Sequence, residues 1–432
     1  MGVGKMADNG FHDYKCPNCG GPLAFRGDLN KMVCEYCDSQ FDMSEFSQDT
    51  QVKEEVTDWQ QSATQQMDGT GMKEYVCNTC AAVLVAEENV GATECPYCGN
   101  PLVIKDTFEG INLPDGIIPF AVDKAKAQEA LHNFYKGKKL IPDSFIDKNR
   151  IDNINGLYVP FWLFDCDTDG DCFYRATKER EYDKGDEVWK EIEDYAVTRS
   201  AKMRFEKVPA DASKEMKDAY MDSLEPFDYS KITDYNPAYM SGYVANKYDE
   251  DANAVKERVD GRIRSTAKQK IRDTVKGYSS VNATAENINI RDGRVRYCML
   301  PVWMLSTQWN GQVYSFAMNG QSGKVVGDLP IDSGKSTKLF LSTALITAVI
   351  ATILLYFILG EFGTALIASI VIGLIVGGIS LSSAKAAMVA SEKTQADHFL
   401  VDNSFALTNQ LDRYTGTRHE FVRKRQTQNN ND

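Results

Sequence analysis

The chain has 432 residues and a formal net charge of −13, a length that suits two or three domains. That charge opposes nonspecific binding to nucleic acid, whose affinity rests on Lys and Arg neutralising phosphates, and equally a broad basic surface lying on anionic lipid. The opening MGVGKMADNG has no apolar run, so no secretory signal is expected there, and Met6 stands where an N-myristoylation pattern needs Ser or Thr.

The chain carries eleven cysteines. Where thiols are kept reduced, regular cysteine spacing points to metal before disulfides. Cys16 and Cys19, Cys34 and Cys37, Cys77 and Cys80, and Cys95 and Cys98 are four C-x2-C pairs. Each ligand of the first unit recurs 61 residues later: Cys16 at Cys77, Cys19 at Cys80, Cys34 at Cys95 and Cys37 at Cys98. Two such turns, brought face to face by a hairpin, present four thiolates in the tetrahedron that Zn²⁺ prefers. Four thiolates leave no open position for water, so each site reads as structural. The expected units are a zinc ribbon over residues 12–46, a polar Gln-rich linker over 47–72 with a short helix around Trp59, and a second ribbon over 73–106. Residues 1–106 hold 7 basic and 17 acidic side chains, a balance of −10, which disfavours nucleic acid as the ribbons' partner.

Residues 112–332 read as a mixed α+β domain. Asp123 to Tyr135 is an expected helix with Asp123 as N-cap, and Glu250 to Lys276 a long charged one. Strand-like runs cover Gly156–Asp167, Phe173–Lys178, Ala196–Val208, Val295–Trp309 and Gln312–Met318. Two runs resemble each other at an offset of 141: Pro160 matches Pro301, Trp162 matches Trp303 and Gly170 matches Gly311. Asp169-Gly170 and Asn310-Gly311 are type I′ hairpin signals, so two related β-hairpins are expected from an internal duplication. With a turn at 169–170, Cys166 and Cys172 fall on opposite faces and read, like Cys298, as packed thiols. Asp165, Asp167, Asp169 and Gly170 open like an EF-hand loop, but Ala176 holds the position that needs Glu. Ser333-Gly334-Lys335-Ser336 lacks the leading glycine of a P-loop. No spaced histidine pair, nucleophile elbow or dinucleotide fingerprint is present, so catalytic residues are not expected.

Leu339 to Leu359 and Thr364 to Leu381 are uncharged stretches of 21 and 18 residues, each long enough to span a bilayer core of roughly 30 Å. Four residues join them, which forces a transmembrane helical hairpin. Lys335, Lys338, Lys385 and Lys393 flank it and the tip carries only Glu361, so both termini are expected in the cytoplasm. Ala365, Ser369, Gly373 and Gly377, and Ala344, Ala348 and Thr352, form small-residue ridges for packing within the hairpin, with homo-oligomers as the alternative. The tail, 382–432, is nearly neutral; Phe399 to Leu411 could add a strand or short helix, and Arg423, Lys424 and Arg425 form a small basic cluster at a solvated end.

YKCPNCGGPLAF, CPYCGNPLVI, IPFAVDK, YKGKKLIP, GLYVPFWLFD, SGYVANKYD, LPVW and YSFAMNGQSGKVVGDLP together resemble the membrane-anchored TFIIB-type tandem zinc-ribbon proteins of Gram-positive bacteria (YdjG-like). The resemblance implies the eight cysteines as metal ligands, nothing catalytic, and for some members a link to the phage-shock type of envelope stress response. The expected role is a membrane-anchored cytoplasmic interaction module for protein partners at the inner membrane face, phage-shock-type proteins among them. The alternative is a membrane-tethered nucleic-acid-binding regulator.

Overall fold

The structure is a computed structural model. It describes residues 16, 21, 23–26, 29, 31–34, 36–42, 72–87, 94–100, 102–105, 113–136, 138–148, 154–389 and 393–424. The expected linker, its Trp59 helix, Cys19 and Arg425 lie outside the described residues. Strands β1 (Leu23–Arg26), β2 (Lys31–Cys34) and β3 (Gln40–Asp42) form a three-stranded antiparallel sheet. The other strands share one sheet of twelve. They begin with β4 (Met72–Cys77), β5 (Val83–Glu87), β6 (Leu102–Lys105) and β7 (Gly116–Ile117), followed by helices α1 (Lys124–Lys136) and α2 (Asp143–Lys148). Next come β8 (Asn155–Lys184), β9 (Glu187–Asp211), α3 (Asp218–Leu224), β10 (Thr233–Asp234), β11 (Val244–Asn246) and α4 (Ala252–Arg272). The chain continues through β12 (Ser280–Trp309), β13 (Gln312–Asn319), β14 (Val325–Gly327), α5 (Ser333–Leu359), α6 (Phe362–Ala386) and β15 (Ala406–Lys424).

The centre of the sheet is the antiparallel ladder between β8 and β12, in which Tyr158 faces Pro301, Pro160 faces Met299 and Trp162 faces Tyr297. The two sequence runs that resemble each other are therefore each other's partners, related by a local two-fold axis between them. Their surroundings repeat. β7 pairs parallel with β12 at Cys298 and Met299; β11 pairs parallel with β8 at Leu157 and Tyr158. Trp303 Nε1 donates to the Val122 carbonyl at 2.9 Å, and Trp162 Nε1 to the Glu250 carbonyl at 2.8 Å. The next residue in each case caps a helix: Asp123 Oδ1 accepts from Lys126 N and Asp251 Oδ1 from Ala254 N, both at 2.8 Å. Each tryptophan also meets an aromatic ring edge-on, Phe120 at 5.2 Å and Tyr248 at 5.5 Å. The structural repeat thus covers a short strand, a capped helix and a long strand.

The first expected turn is in the wrong place. Asp169 and Gly170 lie inside β8, which runs on to Lys184 and turns at Gly185-Asp186, with Gly185 at φ +62°. Gly170 is closely packed: a Cβ there would lie 2.5 Å from Ile288 Cδ1 and 2.8 Å from Ile271 Cδ1, where α4 crosses the sheet, so these two side-chain tips occupy the space beside it. The second turn stands: Asn310 (φ +49°) and Gly311 (φ +78°) join Trp309 to Gln312. Because β8 is continuous, Cys166 and Cys172 share one face, against the expectation of opposite faces. Six residues apart, they are about 20 Å from each other, and both are buried beside α4.

Helix α4 buries Val255, Val259, Ile263, Ala267 and Ile271, a stripe repeating every fourth residue, on the even-numbered face of β8. The tail does not end free. β15 pairs with β9 along its length, from Ala406 opposite Lys202 to Lys424 opposite Glu187. Arg423 therefore lies at the far tip of the sheet. Helices α5 and α6 are inserted between β14 and β15, so the chain enters and leaves the hairpin on the same side.

The hairpin turns through Gly360 (φ +72°). The ridge residues Ala365, Ser369, Gly373 and Gly377 are the buried ones of α6, facing Ala344 and Thr352, and the Thr352 and Ser369 hydroxyls are 2.6 Å apart. A Cβ on Gly373 would come within 2.5 Å of the Ala344 carbonyl oxygen. Backbone cannot give way there, so Gly373→Ile is expected to destabilise the folded chain by ~1–3 kcal/mol, read as a lower melting temperature in detergent micelles. Gly363→Ile, which meets nothing within 4 Å, should leave it unchanged.

Candidate metal centres

The described C-x2-C turns share one backbone design. The first cysteine's N–H donates to the carbonyl five residues on: Cys16 to Gly21 at 2.7 Å, Cys34 to Ser39 at 3.0 Å, Cys77 to Ala82 at 3.0 Å and Cys95 to Asn100 at 2.7 Å. The residue after the second cysteine is left-handed, with φ of +56° at Asp38, +62° at Ala81 and +73° at Gly99. Its N–H donates back to the first cysteine's carbonyl at 2.8–2.9 Å. This knuckle turns successive N–H groups and both sulfurs inward.

The sulfurs converge. Cys77, Cys80, Cys95 and Cys98 have all four Sγ atoms within 4.8 Å of one another, as do Cys16, Cys34 and Cys37 in the first unit. The closest approaches are 3.4 Å for Cys77–Cys98, 3.6 Å for Cys80–Cys95 and 3.6 Å for Cys16–Cys37. These lengths exclude disulfides and lie near the edge of a tetrahedron of thiolates about 2.3 Å from a metal, which is about 3.8 Å. The clusters could therefore each hold a metal ion. Burial pushes the Cys80 thiol up to about 11 and Cys95 higher still. Cys77 is held at about 7, because burial is outweighed by the N–H groups of Cys80 and Thr79 and by the Cys98 and Cys80 sulfurs.

The two units are anchored differently. In the second, β5 pairs with β11, Ser306 Oγ lies 2.7 Å from the carbonyls of Pro96 and Tyr97, and Ser315 Oγ donates to Tyr97 at 3.2 Å. Buried Cys77 and Cys95 join a core cluster with Leu157, Val159, Leu300 and Val302 of the central ladder. The first unit sits on a small patch: Phe25 N donates to the Ser241 carbonyl at 3.2 Å, Ser241 Oγ donates to the Leu23 carbonyl, and Phe25 meets the Tyr239 ring at 4.9 Å. Neither Ser306 nor Ser315 carries a local sequence signal for this contact with residues some 200 positions away.

The other acidic candidates separate. Asp165, Asp167 and Asp169, which open like an EF-hand loop, lie instead along one extended strand, β8, where alternate residues are about 7 Å apart, and cannot close on one ion. Instead Asp165 accepts from Arg296 at 3.3 Å, Asp169 pairs with Arg291 at 2.7 Å and Asp171 accepts from Ser200 Oγ at 2.6 Å. A cleft of about 270 Å³ beside β7 and β10 is lined by Asp115, Lys207, Tyr229, Asp234, Arg296 and Cys298 among others, and its lining charges cancel.

These features define a class: a multidomain β-sheet protein with cysteine clusters that could each hold a metal ion and with an apolar helical hairpin. A protein of Bacillus subtilis (strain 168), described as uncharacterized protein YdjG, is 34% identical over 322 residues, 74% of this chain and 91% of the relative. The chain belongs to the YdjG family. No protein-family profile matches it, and no solved structure does.

The different anchoring predicts different consequences. Cys95→Ser should lower the main unfolding transition by ~3 kcal/mol or more, because it removes metal-linked folding energy from the central core. Cys34→Ser should leave that transition in place and raise hydrogen exchange only in β1–β3. Mass-resolved hydrogen exchange distinguishes the two.

Metal binding at the second cluster must also displace protons. With Cys80 at about 11 and Cys95 above it, both thiols are protonated in the empty site at neutral pH. Each unit of pH lost between 9 and 7 should therefore weaken binding by at least about 100-fold, counting those two protons alone. Chelator competition across that range measures the slope; a pH-independent affinity would contradict it.

Proposed function

We propose that the protein is a membrane-anchored cytoplasmic zinc-ribbon module that presents rigid docking surfaces to protein partners. The observation that carries this reading is the hairpin. Its small residues face each other, while its outward faces are apolar and bare, with Phe357 82%, Ile358 76% and Ile367 69% exposed. Both helices are long and apolar enough to cross a membrane. Bilayer lipid is the solvent that suits such a surface. Lysines at the hairpin root against a lone Glu361 at its tip support a cytoplasmic sheet domain.

Zinc is the metal best suited to the cysteine clusters, since a thiolate-only tetrahedron is its structural coordination set. A closed thiolate shell leaves the ion nothing to activate, so its part is to hold the knuckles rigid. The ribbon surroundings are acidic, which supports protein rather than nucleic-acid partners, and family resemblance supports a place in the envelope stress response.

Purified full-length chain is expected to hold two zinc equivalents. A promiscuous biotin ligase fused to the full chain in cells should label a reproducible set of proteins. Part of that set should be lost in Cys34→Ser, which frees the first ribbon from its patch. Absence of any reproducible protein partner would overturn the docking role, and less than one zinc equivalent would overturn the metal assignment.

A further inference from the structure

The chain is acidic overall, yet the fold gathers lysines from three distant stretches around the root of the hairpin. Lys138 Nζ donates to the Ala387 carbonyl. The Asp332 N–H donates to the Leu140 carbonyl at 2.9 Å, and Lys335 Nζ donates to the Ile141 carbonyl and to Asp143, both at 2.7 Å. The Leu329 N–H donates to the Met388 carbonyl at 2.9 Å. The segment after α1 is thereby tied to the first turn of α5 and to the residues following α6.

Around this junction, stretches 136–145, 332–338 and 385–389 carry Lys136, Lys138, Lys139, Lys335, Lys338 and Lys385 against Asp143 and Asp332. Asp332 is spent capping α5 through Lys335 N, and Asp143 is paired with Lys335. Lys139, Lys338 and Lys385 are exposed and make no ion pair among the described residues. Lys338 directly precedes the apolar run that begins at Leu339, and Lys385 follows the last residues of the opposite run by about one turn.

We infer that this ring of lysines is a binding surface for anionic phospholipid headgroups, built jointly by the sheet domain and the two helices. The inference rests on the membrane reading above and deepens it. The occupant follows from continuity and charge. The ring is continuous with an apolar surface of bilayer length, its uncommitted groups are ammonium ions, and the partner that offers negative charge at the edge of a hydrocarbon layer is a lipid headgroup. The domain's own Lys139 makes the surface specific to the folded chain, because a bare helical hairpin would supply only Lys335, Lys338 and Lys385.

The test uses the full chain in nanodiscs of phosphatidylcholine containing a minor share of phosphatidylglycerol. Lipids retained on the released protein are then counted by native mass spectrometry. Wild type should retain phosphatidylglycerol above its share in the disc, with an expected gain of about fivefold per contributing lysine. The triple variant K139Q/K338Q/K385Q should enter nanodiscs equally well and retain lipid in the bulk ratio. K202Q, on the exposed part of β9, should behave as wild type, and K139Q alone should lower the enrichment measurably. Wild type that enters nanodiscs without enrichment, or a triple variant that keeps it, overturns the lysine ring while leaving the membrane reading intact. A chain that does not enter nanodiscs overturns the membrane reading and this inference with it.

Discussion

The pairing of β8 with β12 is the constraint on which the rest of the molecule depends. Both strands carry a Pro, a Trp and a run of buried apolar residues, and each run is buried on both faces along the shared ladder. Such a ladder needs cover on both sides. On one side it is covered by α1 and α4, each started by an Asp cap and held by a tryptophan indole bonded to the carbonyl just before that cap. The other side is covered by α3 and the second cysteine unit. The cysteine cluster is thus one wall of the core, so a metal ion bound there would be coupled to folding of the ladder.

The duplicated halves are used unequally. β11, in the second half, accepts β5 on its free edge and so welds the second cysteine unit to the sheet; its counterpart β7 accepts only the two-residue β10. The helix of the first half ends at the hairpin root. The helix of the second carries Arg262, 2% exposed, which holds Glu225 through two bonds at 2.6 and 3.1 Å, lies 3.6 Å from Asp222, and donates to the Pro209 and Gln395 carbonyls. Buried ion pairs of this kind add little net stability, because desolvation offsets the attraction; they specify geometry, because a displaced partner leaves a bare charge. Here the geometry specified is the path of the chain out of the hairpin, from Lys393 to Phe399, across α4.

How much of this was legible in the sequence follows from how local each signal is. The cysteine knuckles are set by residues within six positions of one another, and the 61-residue recurrence shows them directly. The hairpin is set by length and apolarity alone. The helices at Asp123 and Asp251 are set by caps and periodicity. By contrast, Asp169-Gly170 reads as a turn because its local chemistry permits one; what decides against it is pairing on both sides with β9 and β12, whose residues opposite, Ala201 and Ile288, come from more than 30 and more than 100 residues away. The long reach of β8, β9 and β15 is hidden in the same way. Their outer portions are polar on the open face, so burial by α4 shows only in alternate residues, and β15 is exposed throughout most of its length. Arg262 and Arg199 look like surface residues in sequence and are buried only because carboxylates from Glu225 and Asp412 meet them.

Both ends of the hairpin are fastened to the sheet domain by different chemistry. The entering end is capped by Asp332 and tied by Lys335 to the segment after α1; the leaving end is tied by Met388 and then by the Arg262 network. A single tether would let the domain pivot about the helices, since one flexible connection restricts distance without restricting angle. Two fastenings at opposite helices, each with buried apolar contacts from Leu329, Met388 and Phe399 to the main core, remove that freedom. The domain's orientation relative to the hairpin axis is then a property of the fold. That is the physical reason to treat the exposed edges of the cysteine units as surfaces held in one direction, and the lysines at the root as side chains carried by a fixed junction.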